Sequence, residues 1–314
     1  MIYIGIDVGG LSFKAGAVDE NGNILCKADC PSGVDRGYGP MIRDMAELAF
    51  RVTEMSGHTL ADVKSIGIGI PGIMDQQTGR VPRCANLLWN DVPIMDEMRK
   101  YTDLPVYVDN DATVAGLAES VAGVSAGVKN SVFITLGTGI GGGIILDGKV
   151  FTGSHGVASE IGHSITVDGG EPCNCGKRGC WERYASATAL IREGRRLCER
   201  DPECALMRAV DGALDAITAK HIFDLAKEGD PGCTELFNWY VHHLCLGIRN
   251  LINTYDPEMF VLGGGVSHAG DFLLNAVRRE LPNWVFFRTM PYGSVELARL
   301  SNDAGIIGSA MLGR

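Results

Sequence analysis

Apolar residues in this chain fall into short unbroken runs, with longer stretches at helical spacing between them. Residues 2–8, IYIGIDV, predict a strand buried on both faces. The following GGLSFKAGAVDENGNIL reads as a turn, a second strand and a hairpin at DENGN. Residues 40–57, PMIRDMAELAFRVTEMSG, place their apolar positions on one face of a helix. KSIGIGIPGIMD is another buried strand, ending at Pro71-Gly72. LPVYVDNDATVAGLAESVAG predicts a strand, a break at Asp109–Asp111 and a helix from about Ala112. Helical patterns dominate 183–255, and DAGIIGSAMLG closes the chain as a last helix.

The opening arrangement returns. NSVFITLGTGIGGGIILDGKVF again reads as strand, glycine turn, strand and Asp-Gly hairpin, about 130 residues after the first copy. A third glycine turn, in MFVLGGGVS at 259–267, follows another apolar strand. Repeated α/β units with glycine turns after their strands predict two similar lobes facing a cleft, with ligands beyond the strand ends.

Composition narrows the class. The 314 residues are 46% hydrophobic, enough for a sizeable core, and 42 are glycine. A net charge of −10 argues against a nucleic-acid surface. It leaves a nucleotide open, because phosphates are held by local N–H groups and a metal. No apolar run is long enough to span a bilayer, and MIYIGIDVGG has no signal-peptide pattern, so the expected place is the cytoplasm, with no membrane partner.

The turns DVGG (7–10) and LGTGIGGG (136–143) would bring backbone N–H groups close to an anion. Asp7, ending its strand, would hold Mg²⁺ or its water shell. No GxxxxGK[ST] is present, and GTGIGG leads into a strand rather than a helix, so neither a P-loop nor a dinucleotide fingerprint fits. Asp111 reads in two ways. It is a helix N-cap, or a carboxylate that accepts a proton from an alcohol attacking a phosphate.

Residues 162–182, GHSITVDGGEPCNCGKRGCWE, gather three cysteines and a histidine, either as a small disulfide knot or as a metal site. The other seven cysteines are scattered and read as buried thiols.

Taken together, DVGG…K, PG, NDA…A…AE, LGTGIGGG, EIGH, CNCGKRGCWE and LGGGVS resemble the ROK (repressor–ORF–kinase) family of sugar kinases, its bacterial glucokinases above all. The likeness runs from residue 2 to about 312. It implies the actin-like ATPase (ribonuclease H-like) fold, an α/β architecture of two lobes around a central cleft. The small N-terminal lobe would be 1–118, completed by a C-terminal helix at about 302–314, and the large lobe 119–301. The implied activity is ATP-dependent phosphorylation of a hexose at its 6-hydroxyl, with glucose first. The partners would be hexose and ATP with Mg²⁺, and a homodimer or homotetramer is the common assembly.

The resemblance also implies roles. Asp111 would be the general base. Gly72, Asn86, Asn110, Glu160, His163 and Glu182 would join it in contacting the sugar. Asp7, Gly9, Gly10, Lys14, Gly137, Thr138 and Gly139 would surround the ATP phosphates, and Gly263, Gly264 and Gly265 would border the adenosine. Cys173, Cys175, Cys180 and His163 make up a Cys₃His set, the ligand count of a closed structural Zn²⁺ site. That zinc would position Glu160, His163 and Glu182 without activating water. Two departures stand out. Leu11 replaces the usual threonine of the first turn, leaving Ser12 to supply a hydroxyl, and Ser159 replaces the glycine before EIGH.

Three rival readings share these residues. One is a kinase for N-acetylglucosamine, N-acetylmannosamine, fructose or allose. Another is a non-catalytic sugar sensor. The third is a repressor, which would carry a helix-turn-helix ahead of the strand that here begins at residue 2.

Overall fold

The structure is a computed structural model and describes residues 1–287 and 289–314. It forms two compact units: residues 1–133, 143–159 and 299–314, and residues 134–142 and 160–298.

In the first unit, strands β1 (Ile2–Val8), β2 (Ser12–Val18) and β3 (Ile24–Pro31) form an antiparallel meander. Helix α1 (Tyr38–Met55) leads to β4 (Val63–Ile70), which pairs with β1 in parallel. A small hairpin, β5 (Val81–Cys84) and β6 (Trp89–Val92), and helix α2 (Ile94–Met98) precede β7 (Val106–Asn110) and α3 (Asp111–Ala122). The chain passes to the second unit within β8 (Ser131–Leu136) and back within β9 (Ile140–Leu146), which turns into β10 (Lys149–Val150).

Helices α4 (Glu182–Ala185), α5 (Ala187–Arg200), α6 (Ala205–Ala209), α7 (Ala219–Lys227) and α8 (Pro231–Tyr255) follow in the second unit. Strand β11 (Met259–Gly263), helix α9 (Asp271–Glu280) and strand β12 (Ser294–Leu297) complete it, and α10 (Ala304–Met311) belongs to the first unit.

The duplication predicted from the repeated hairpin is present in the topology. One sheet runs β3-β2-β1-β4-β7 and the other β10-β9-β8-β11-β12. Each joins antiparallel strands on one side to a parallel pair on the other. Strand β1 is apolar from Ile2 to Ile6 because both of its faces are covered, and its one acid, Asp7, comes at the end that leads into the glycine turn. One face meets the buried side of α1 (Met41, Ile42, Met45, Leu48, Val52), and the other meets α10. Gly5 of β1 and Gly67 of β4, which pair in register, are explained by that second face. A Cβ on Gly5 would lie 1.9 Å from Ile306 O, and one on Gly67 1.7 Å from Ser309 O. Only glycine lets α10 pack this close.

The first unit extends past a division at residue 118. Helix α3 runs unbroken to Ala122, and the fully buried Glu119 carboxylate accepts from the N–H groups of Val124, Arg299 and Leu300, each at 2.8 Å. A carboxylate taken out of water must find such donors, and these tie residues 124 and 299–300 to α3. Among the described residues no helix is long and apolar enough to cross a membrane.

Candidate functional site

The predicted residues fall into two groups, one in each unit. In the first unit the β7–α3 junction decides which residue caps the helix. Asn110 is extended (φ −65°, ψ 145°), and its Oδ1 accepts from Ala112 N (2.9 Å) and Thr113 N (3.3 Å). Asn110 is therefore the N-cap. Asp111 begins the helix, with Oδ1 2.8 Å from Ala112 N. Asn110 Nδ2 donates to Gly72 O (3.2 Å), which brings the turn after β4 to the start of α3. A Cβ on Gly72 would come within 3.2 Å of Cys84, two residues before Asn86. Burial raises the Cys84 thiol, and the Asp111 carboxylate adds to the rise. Gly72, Asn86, Asn110 and Asp111 are thus neighbours. Ser159 has a partner of its own: its Oγ lies 3.2 Å from Thr113 Oγ1, on the first turn of α3.

The first glycine turn closes on its own sheet. Gly9 N–H donates to Ser12 O (3.0 Å), Ser32 Oγ to Gly10 O (2.6 Å) and Ser32 N–H to Leu11 O (3.0 Å). Leu11 is 91% exposed at its tip. Asp7 pairs in register with the exposed Lys14 across the hairpin. Burial holds Asp7 above the ordinary carboxylate range, and Lys14 partly offsets this. Gly305 makes the room: a Cβ there would lie 2.5 Å from Asp7 Cγ. Gly69 of β4 is in register with both Asp7 of β1 and Asp109 of β7, so two acids flank a position without a side chain. Burial pushes Asp109 up to about 6, against the opposing hydrogen bond from Asn110 N–H.

In the second unit the glycine turn is gripped by the segment that follows CNCGKRGC. Ala187 N–H donates to Gly137 O (2.8 Å) and Thr188 Oγ1 to Thr138 O (2.7 Å). Within the turn Gly137 N–H donates to Gly139 O (3.0 Å). Ile140 N–H donates to Glu182 Oε2 (3.2 Å), and that carboxylate lies where a Cβ of Gly139 would be, 2.1 Å away. The other side of the Ile140 peptide meets EIGH, because a Cβ on Gly162 would sit 2.2 Å from Ile140 O.

His163, Cys173, Cys175 and Cys180 converge, with one ligand atom from each lying within 4.8 Å of all the others. Cys173 Sγ is 3.6 Å from His163 Nδ1, and Cys175 Sγ is 3.5 Å from Cys180 Sγ. Ligands about 2.3 Å from a tetrahedral ion are about 3.8 Å apart, so the donor set and its spacing fit one zinc. Burial and the two neighbouring thiols push Cys180 up to about 12, and a cation at the centre would reverse that preference. With Nδ1 toward the thiols, His163 Nε2 faces Glu160, 3.8 Å from its Oε2. Glu182 Oε1 is 3.9 Å from Cys173 Sγ, so the acid that holds Ile140 also borders the cluster.

A cavity of about 640 Å³ in this unit is lined by Gly137, Thr138 and Ala187, by Gly265, His268 and neighbours, and by Lys220, Phe223, Asp224 and Lys227 of α7. Gly265 lines it, whereas Gly263 and Gly264 lie beside it. Gly264 (φ 80°) lets the chain pass against β8, where a Cβ would meet Leu136 O at 2.6 Å. Sequence reasoning missed the α7 face, although its spacing (220, 223, 224, 227) marks one side of a helix. It also missed Thr188 and Ser32, whose roles depend on contacts no local pattern announces.

Two five-stranded mixed sheets of matching order, with glycine turns after their first strands, are the actin-like ATPase fold. The family model described as ROK family matches residues 3–314, and the chain belongs to that family. It is 37% identical over 313 residues to the glucokinase of Halalkalibacterium halodurans, covering 99% of this chain and 94% of that one. It is 35% identical over 313 residues to the glucokinase of Thermotoga maritima, covering 98% and 96%. Among solved structures it matches a ROK family glucokinase from Streptomyces griseus in complex with glucose and AMPPNP. That match has a TM-score of 0.81 and 35% identity, with 99% of both chains covered.

Proposed function

We propose that this protein is an ATP-dependent glucokinase that transfers the γ-phosphoryl group to the 6-hydroxyl of glucose. The observation that carries the reading is the β7–α3 junction. Asn110 is the cap of α3, and Asp111 stands beside it at the helix start, its Oδ1 accepting from Ala112 N–H at 2.8 Å, next to Gly72 and Asn86. Relatives with 35–37% identity over nearly the whole chain are glucokinases, and the Streptomyces griseus enzyme was solved with glucose and an ATP analogue.

In this reading Asp111 accepts the proton of the 6-hydroxyl while that oxygen bonds to the γ-phosphorus. The bond from the γ-phosphorus to the bridging oxygen breaks, and ADP leaves. Asn110 keeps one Nδ2 hydrogen for the sugar, and Gly72, Asn86, Glu160, His163 and Glu182 supply the remaining contacts. The turns at Asp7–Ser12, with Lys14 beside them, and at Gly137–Gly139 take the phosphates. Gly263–Gly265 and the α7 face take the adenosine. Mg²⁺ on ATP would offset the phosphate charge, and Asp7, part-buried with Lys14 opposite it across the hairpin, suits its water shell. The Cys₃His set would hold a structural zinc, with all four positions filled by protein. Three reduced thiols fit a cytoplasmic protein. A homodimer or homotetramer remains the assembly this reading carries.

A coupled assay tests the chemistry. Asp111→Asn should lower kcat by about 10²- to 10⁴-fold and leave the folded state and sugar binding in place. A wild-type rate in that variant, or no turnover of glucose by the native protein beside the other hexoses, would overturn the reading. Metal analysis should find one zinc per chain, lost in Cys180→Ser. A metal-free native protein of full activity would remove the zinc.

A further inference from the structure

We propose that Thr188 is a positioning residue for the nucleotide, aiming the amides of the second glycine turn at its phosphates. The proposal rests on the reading that this turn receives ATP, and it deepens that reading by naming what orients the turn.

The geometry follows from planar trans peptides, in which C=O and N–H point in opposite directions. Thr188 Oγ1 holds the carbonyl of Thr138 at 2.7 Å, so the N–H of Gly139, on the same peptide, points away from α5. Ala187 N–H holds the carbonyl of Gly137 at 2.8 Å and does the same for the N–H of Thr138. Two successive amides are thereby aimed alike, which is what an oxyanion requires. Gly137 and Thr138 line the 640 Å³ cavity, as does Ala187 beside Thr188, which places the turn at the edge of a space large enough for a nucleotide. Without a side-chain donor the Thr138–Gly139 peptide is held only through its neighbours. A flip of that peptide would point a carbonyl oxygen where a phosphate oxygen should sit. Thr188 is the only side chain in the Ala187–Thr188 grip, so it can be removed without touching the backbone donor.

Thr188→Val keeps shape and volume and deletes the hydroxyl. Thr188→Ser keeps the hydroxyl and deletes a methyl group. Isothermal titration with AMPPNP, with Tm measured in parallel, should show affinity weakened about 3- to 10-fold in the valine variant, the usual worth of one neutral hydrogen bond. The serine variant should bind like wild type. Kinetically, KM for ATP should rise in the valine variant while KM for glucose stays constant. Unchanged AMPPNP affinity in Thr188→Val, or equal losses in the valine and serine variants, would overturn the assignment. Because the titration needs no sugar, it tests the role of Thr188 even if glucose proves not to be the substrate.

Discussion

The two glycine turns of this protein look alike in sequence but are held differently. In both, a hydroxyl and a backbone N–H from another segment take the carbonyls of the turn: Ser32 serves Gly10 and Leu11, and Thr188 with Ala187 serves Thr138 and Gly137. The first turn is held by the end of β3, the adjoining part of its own meander, so its shape is a local property of residues 7–32. The second is held by residues 182–188, about 45 positions away and directly after the loop that carries the Cys₃His cluster. The number of glycines therefore does not make a phosphate turn. A turn whose carbonyls are held by the protein has its amides free to face the other way, as the proposed phosphate contacts require.

The largest test of this difference is steric. In the second turn a Cβ on Gly139 would occupy the place of Glu182 Oε2, 2.1 Å away, while in the first turn a Cβ on Gly10 meets only Asn86 O at 3.4 Å. Glu182 can swing aside, so Gly139→Ala should fold with little loss in Tm. Moving the carboxylate breaks its bond to Ile140 N–H and displaces a proposed sugar contact, and kcat/KM for glucose should fall by roughly 10- to 100-fold, the worth of one charge-assisted hydrogen bond. Gly10→Ala should change it by less than about threefold. Equal effects in the two variants would show that the outside grip on the second turn does not matter.

A smaller test concerns the foot of the first turn, where Asp7 and Asp109 flank Gly69. The folded state holds Asp109 at about 6, above its ordinary 3.8, because burial disfavours the anion. Below about pH 4 both folded and unfolded chains carry that proton and the acid costs nothing. As pH rises from about 4 through about 6 the unfolded chain ionises first, and up to about 3 kcal/mol of stability is lost. Asp109→Asn should lack this loss. Urea unfolding of the two proteins at pH 4.5 and 7.5 should show the variant gaining relative to wild type at the higher pH. A constant difference would mean that Asp109 is not desolvated in the fold.

Much of this molecule was legible in its sequence. The repeated strand–turn–strand pattern exposed the duplicated sheet because strands covered on both faces run apolar until the end that meets the turn, where Asp7 and Asp109 stand. The Cys₃His cluster was visible because its spacing is local. The α3 junction was only half legible: Asn110 and Asp111 can both cap a helix, and only the point where the helix begins assigns the cap to Asn110. Thr188 could not be read at all. Two residues after Ser186, the cap of α5, it looks like any first-turn helical residue, and its partner lies 50 positions earlier. The unit boundary was hidden for the same reason, since Glu119 is one acid in a helix until residues 299 and 300 return to it.

The smallest expected effect is a gain. Leu11 stands where the family pattern has threonine, and it is 91% exposed, so its side chain contributes almost nothing to the core. The turn around it is already shaped by Ser32 through Gly10 O and Leu11 O, neither of which depends on the side chain at position 11. Leu11→Thr should therefore leave Tm within about 2 °C of wild type, as surface changes do. One added hydroxyl at the tip should tighten ATP by about 2- to 10-fold, read as a lower KM for ATP at constant kcat. If the threonine changes nothing, the backbone amides that Ser32 holds in place grip the phosphates unaided, and the two turns are closer in mechanism than their sequences suggest. If affinity improves, the first turn has been working one donor short, and the braced second turn carries the larger share of nucleotide binding.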